Sequence, residues 1–120
     1  MERKKSFEEN EYELLMEKYS FRTSGNVLYY LKPALVSEIM DGSFINSVNK
    51  IGLPKEEDVR YHYIMLFNNE EKIKELSEFI EKYLVDFQGN TVKFDDFVKK
   101  GATTDDIHAL IKRICGISGR

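Results

Sequence analysis

The stretch "VRYHYIMLF", residues 59–67, decides the fold that we predict from this sequence. In an extended chain, successive side chains point to opposite faces. One face would then carry Val59, Tyr61, Tyr63, Met65 and Phe67. The other face would begin with Arg60 and His62 and continue with apolar residues, which is typical of a strand whose far end is covered on both sides. We therefore predict a β-strand over 59–67.

Three shorter segments complete the predicted sheet. The run "VLYYLK" is aromatic and β-branched, and "VDFQGNTVKF" has the pattern of a hairpin with Gly89 and Asn90 in its turn. In that register Phe87 opposes Val92, and every apolar pair falls on one face. The predicted strands are 27–32, 59–67, 85–88 and 91–94.

Helical periodicity is clearest over 70–84, where apolar residues recur on one side and Glu and Lys on the other. Other helices are predicted over 6–19, 33–40 and 43–51, as a short turn over 95–100, and from Thr103 or Thr104 to about Gly116. The chain therefore predicts an α+β fold. We interpret 1–120 as one small domain with a mostly antiparallel sheet and four to five helices, in which 6–19 can form an N-terminal arm.

Composition limits the class of protein. The 120 residues are 42% hydrophobic and 32% charged, with a net charge of −3 that is spread along the chain. This balance argues against a protein that coats duplex DNA, because such binding depends on an excess of Lys and Arg. A single cysteine, Cys115, excludes an internal disulfide, and we see neither a leader nor a long apolar run. We expect a cytoplasmic protein without a membrane partner.

Residues for catalysis or metal binding do not form a recognisable set. Asp105, Asp106 and His108 lie within one helical turn, but a zinc site needs three or four ligands, and the aspartates suit the start of a helix. The glycines are scattered singly, so no phosphate-binding loop is present in the sequence. We predict no catalytic residue, no metal and no cofactor, and hence a protein that is not an enzyme.

The leading hypothesis is a noncatalytic interaction protein. Its predicted N-terminal helix carries Tyr12, Met16 and Tyr19 on one stripe after Phe7, and such side chains make large, adaptable contacts. We assign these residues to protein binding by a small regulator or inhibitor. The expected partner is another protein or a nucleoprotein complex, and a second copy of the chain forming a homodimer is an alternative.

Two other functions stay open. Tyr61 and Tyr63 could stack on the bases of single-stranded nucleic acid such as RNA, while Arg60 and His62 hold a phosphate or another anion. Nucleic acid is nevertheless not the favoured partner. A small enzyme or ligand sensor would instead show a pocket near His62 or His108.

Overall fold

A computed structural model describes residues 18–118 and confirms the α+β class. Its sheet has three antiparallel strands in the order β1-β2-β3. Their bounds are β1 Ser20–Arg22, β2 Leu28–Leu31 and β3 Leu84–Val85. Tyr30 on β2 pairs with Ser20 on one side and with Val85 on the other, so the strand predicted over 27–32 is the middle of the sheet.

Six α-helices within residues 18–118 surround this sheet, and a 3₁₀ turn at Glu56–Asp58 precedes the third of them. They are α1 Val36–Met40, α2 Ser43–Ile51, α3 Val59–Leu66, α4 Glu70–Tyr83, α5 Phe94–Lys99 and α6 Thr104–Ser118. The predictions of α2 and α4 are confirmed. The helix α6 continues through Gly116, where we had predicted its end. The described part of the chain contains no helix long and apolar enough to span a membrane.

The strand predicted over 59–67 is wrong, because this segment forms helix α3. Val59, Tyr63 and Leu66 are its buried residues, and their spacing of four and three is helical. In so short a segment, apolar residues on both sides fit the helical period as well as the extended one. Periodicity alone therefore cannot distinguish a helix from a strand here. The three acidic residues of the preceding 3₁₀ turn lie where negative charge favours the start of a helix.

The hairpin predicted over 85–88 and 91–94 is also wrong, apart from a single bridge between Val85 and Thr91. The side chain of Asp86 accepts hydrogen bonds from the backbone N–H groups of Gln88 and Asn90, both at 2.9 Å. These bonds close a compact turn instead of a two-stranded ladder.

Phe87 and Val92 therefore do not pair. Phe87 is exposed, while Val92 is buried in the core. Phe94, which we had placed in the second strand, begins helix α5, and its backbone N–H donates to Glu81 Oε2 at 3.0 Å.

The core lies between the sheet and the long helices. Tyr29 on β2 packs against Phe97 on α5 with ring centroids 5.5 Å apart. Leu76 and Ile80 of α4 and Leu110 of α6 are completely buried in the same cluster. Burying such side chains is the main favourable contribution to folding.

A buried carboxylate fixes the start of α6. Asp106 accepts from the backbone and hydroxyl of Ser24 at 2.9 and 2.8 Å, and from the Thr103 backbone at 2.9 Å. Burial raises the pKa of Asp106, but these hydrogen bonds outweigh burial and keep the pKa below its ordinary value. The aspartate is thus a cap that ties α6 to the loop after β1.

Candidate functional site

Helix α1 is the unusual surface element of this protein, because its single buried residue is a glutamate. Glu38 Oε1 accepts from the backbone N–H of Leu35 at 2.9 Å, and Oε2 accepts from the Tyr83 hydroxyl at 3.2 Å. The ammonium group of Lys82 forms an ion pair with the same Oε2 atom. The charged side of α1 therefore faces the protein and docks on the end of α4.

The electrostatics of this contact favour the ionised carboxylate. The hydrogen bond from Lys82 lowers the pKa of Glu38 and outweighs burial, which acts in the opposite direction. Burial and the nearby Glu38 charge raise the pKa of the Tyr83 hydroxyl. Glu38 stays an anion and Tyr83 stays a neutral donor, so the contact is stable near neutral pH.

With its glutamate turned inward, α1 presents apolar side chains to solvent. The exposed fraction is 82% for Met40, 70% for Val36 and 65% for Leu35, and Ile39 is also exposed. We call these four residues the α1 surface. A surface helix normally buries its apolar side, and a group of exposed apolar residues is typical of an interaction site.

A second cluster of polar side chains lies beside α6. His108 is buried, and its Nε2 lies 3.4 Å from Glu56 Oε1. The same oxygen accepts from Lys112 Nζ at 2.9 Å. The hydrogen bond and charge of Lys112 lower the pKa of Glu56. His108 lies beside two shallow clefts.

The residues of the nucleic-acid alternative do not form a stacking platform. Tyr61 and Tyr63 are two apart on helix α3, so they point to different sides. Tyr61 is 68% exposed, but Tyr63 is completely buried and cannot reach a base. Arg60 is exposed beside them. The strand on which this alternative depended is absent at 59–67, and nucleic-acid binding stays a prediction without supporting geometry.

His62 has a packing role. Its Nε2 lies 2.9 Å from the carbonyl oxygen of Ile51, at the end of helix α2. Its ring also lies against Gly52, where a Cβ atom would come within 2.9 Å of His62 Cε1. Gly52 has a φ of +85°. A residue with a side chain would be strained in this backbone conformation. The histidine ring therefore packs against the glycine that ends α2.

The metal alternative finds no support in the region 18–118. Asp106 is occupied by its capping bonds, and no group of three or more His, Cys, Asp or Glu is placed to hold an ion there. Burial raises the pKa of the Cys115 thiol, which makes it a poorer nucleophile.

Most of the predicted N-terminal binding stripe lies outside the described residues. Phe7, Tyr12 and Met16 fall there, as does nearly all of the 6–19 helix. Tyr19 is described and is half-buried, next to β1. The assignment of this stripe to protein binding remains a prediction.

The α1 surface was missed by the sequence reasoning, although its helix was predicted. The segment "ALVSEIM" reads as apolar with one glutamate, and such a pattern normally places the apolar residues inside. The deciding contacts come from Lys82 and Tyr83, far along the chain. The available local signal was the excess of apolar residues in so short a helix.

Comparison of the chain with models of protein families, with curated proteins and with solved structures finds no match.

Proposed function

We propose that this protein is a noncatalytic interaction protein, a small regulator or inhibitor that binds another protein through the α1 surface. The observation that carries the proposal is the orientation of α1, with Glu38 held inside by Lys82 and Tyr83 while Val36 and Met40 face solvent. The fold uses three polar contacts to keep this orientation. Hydrogen bonds to a charged group are worth about 1.5–3 kcal/mol each, so the reverse orientation is disfavoured.

The chemistry of the α1 surface indicates an apolar groove on the partner. Its four side chains are uncharged and protrude from one helical turn, as do the anchors of helices that bind in grooves. Methionine adapts its shape to the groove that it enters. Charged neighbours, Lys32 and Asp41, are exposed at the two ends and would form a polar rim.

The α1 surface is small compared with a stable interface, and we take this to favour a different protein over a second copy as the partner. A stable interface takes about 20–30 residues on each side, of which a few carry most of the binding energy. Two α1 surfaces packed on each other would supply only a few residues from each chain. We infer that α1 supplies the anchor of a larger heterologous contact. The cytoplasm is the compartment that we propose for this contact, because the single Cys115 forms no disulfide within the chain.

The experiment is capture of the partner with a photoreactive residue in place of Ser37, which is exposed within α1. In cells that make the protein, we expect a specific crosslinked product. The double variant Val36→Ser with Met40→Ser should reduce this product at least 10-fold, the effect of losing about 1.4 kcal/mol of binding energy.

The matched control is Met65→Ser with Phe87→Ser, which removes two exposed apolar side chains elsewhere. It should leave the crosslinked product unchanged. Equal losses in both variants, or a product that contains only two copies of this chain, would refute the proposal. The absence of any crosslink would refute it as well.

A further inference from the structure

His108 is a buried histidine whose two ring nitrogens have very different surroundings. Its Nε2 faces Glu56, but its Nδ1 is buried without a hydrogen-bond partner in the described part of the chain. Leaving a buried polar atom unpaired is costly, and Nε2 is therefore the ring nitrogen through which His108 meets a polar group. The nearest aromatic neighbour across the helix contact, Tyr63, has its ring centroid 6.4 Å from that of His108.

Two clefts meet at this histidine, and the Glu56 side chain borders both. The first has a volume of about 280 Å³ and is lined by Leu53, Pro54, Lys55, Glu56, His108 and Lys112. The second has a volume of about 320 Å³ and adds Asp105, Ala109 and Arg113 to Glu56, His108 and Lys112. A water molecule in the liquid occupies about 30 Å³, so each cleft has room for a small organic molecule.

Glu56 occupies the place that an anionic ligand would take. One of its oxygens contacts both His108 Nε2, at 3.4 Å, and Lys112 Nζ, at 2.9 Å. Yet the Glu56 side chain is 75% exposed and comes from a short 3₁₀ turn. Exposed ion pairs of this kind contribute little to stability, so another carboxylate can replace Glu56 at low cost.

We propose that His108 and Lys112 form a binding site for a small organic carboxylate, and that Glu56 occupies this site when the ligand is absent. The ligand carboxylate would accept from His108 Nε2 and Lys112 Nζ in place of the Glu56 oxygen. Its apolar part would lie against Leu53 and Pro54, which line the first cleft. This cleft is favoured over the second because Lys55 adds a positive charge to it, whereas in the second cleft the negative charge of Asp105 offsets that of Arg113.

The site differs from the α1 surface in residues and in chemistry, so it can be tested separately. A ligand that must displace Glu56 binds only those molecules in which the site is open. Its apparent affinity is therefore the affinity of the open site multiplied by the open fraction. Removing the Glu56 carboxylate while His108 and Lys112 stay in place should therefore strengthen ligand binding. This increase distinguishes a Glu56 that competes with the ligand from a Glu56 that helps to hold it, because removing a helpful contact would weaken binding.

The probe is isovalerate, a small carboxylate with a branched apolar end, titrated into ¹⁵N-labelled protein and followed by NMR. We expect shifts of the His108 and Lys112 signals that saturate. The variant Glu56→Gln should bind isovalerate about 3- to 10-fold more tightly, as expected for removal of a competing internal carboxylate. Glu57→Gln is the matched control, because Glu57 is exposed on the same turn, and its affinity should equal that of the wild type.

Two further arms test the chemistry. Isovaleramide, which lacks the charge, should give no saturable shifts at the same concentrations. Lys112→Met should lower the affinity for isovalerate at least 10-fold while the rest of the spectrum stays that of the folded protein, since Lys112 is largely exposed. Equal affinities in wild type and Glu56→Gln, binding of the amide, or no saturable binding in either protein would overturn the proposal.

Discussion

Helices α1 and α4 meet at one contact and bury opposite kinds of side chain. Helix α4 turns Leu76, Phe79 and Ile80 to the core and its Glu and Lys residues to water, as its sequence pattern predicts. Helix α1 buries Glu38 and exposes Val36 and Met40. The polar contacts with α4 therefore determine which side of α1 faces the protein, and they leave most of its apolar surface exposed.

Replacing one apolar residue in each helix should give the largest difference in stability between α4 and α1. Leu76→Ala removes a fully buried side chain and should lower the free energy of unfolding by about 2–5 kcal/mol. Met40→Ala, on the exposed side of α1, should change it by less than about 0.5 kcal/mol. Urea denaturation followed by circular dichroism gives both values. A loss above about 1 kcal/mol for Met40→Ala would mean that the α1 surface stabilises the fold.

Removing the buried charge should have the next largest effect. Glu38→Ala leaves the Tyr83 hydroxyl and the Leu35 N–H without their acceptor. We expect a loss of about 2–3 kcal/mol in the free energy of unfolding. Glu78→Ala on the exposed side of α4 is the control and should change stability by less than about 0.5 kcal/mol. Equal effects of the two substitutions would show that α1 does not depend on its inward glutamate.

Acid should weaken the Glu38 contact by a smaller amount. A carboxyl whose pKa is lowered by folding contributes stability that is present above its unfolded pKa, about 4.3, and is lost as pH falls through the folded pKa. The wild type should therefore exceed Glu38→Gln by about 1–2 kcal/mol at pH 7, and this gap should close toward pH 3. Urea denaturation of both proteins at several pH values measures the gap. A gap that stays constant over this range would contradict the ion pair with Lys82.

The well-predicted elements are those whose pattern admits one interpretation. Helix α4 has fourteen residues with clear periodicity, and Asn69 caps it by accepting from the Lys72 N–H at 3.2 Å. Strand β2 is an aromatic and aliphatic run that follows the β-branched Val27 and ends before Pro33. In both cases local propensity and burial agree, so the sequence alone was sufficient.

The errors fall where two interpretations were compatible with the same residues. In 59–67 the apolar positions satisfied both the helical and the extended period, and the acidic turn at Glu56–Asp58 was the neglected signal for a helix. The orientation of α1 could not have been predicted from its own residues. It depends on Lys82 and Tyr83, which the fold brings to Glu38 from more than forty positions away.

The hydrogen bond from the backbone N–H of Ala34 to Ser118 Oγ, at 2.7 Å, has a practical consequence for work on this protein. It joins the last described turn of α6 to the residues that lead into α1. The last described turn of α6 therefore lies beside Leu35, at the edge of the α1 surface. A bulky label attached to this turn of α6 is therefore the wrong choice for isolating a binding partner.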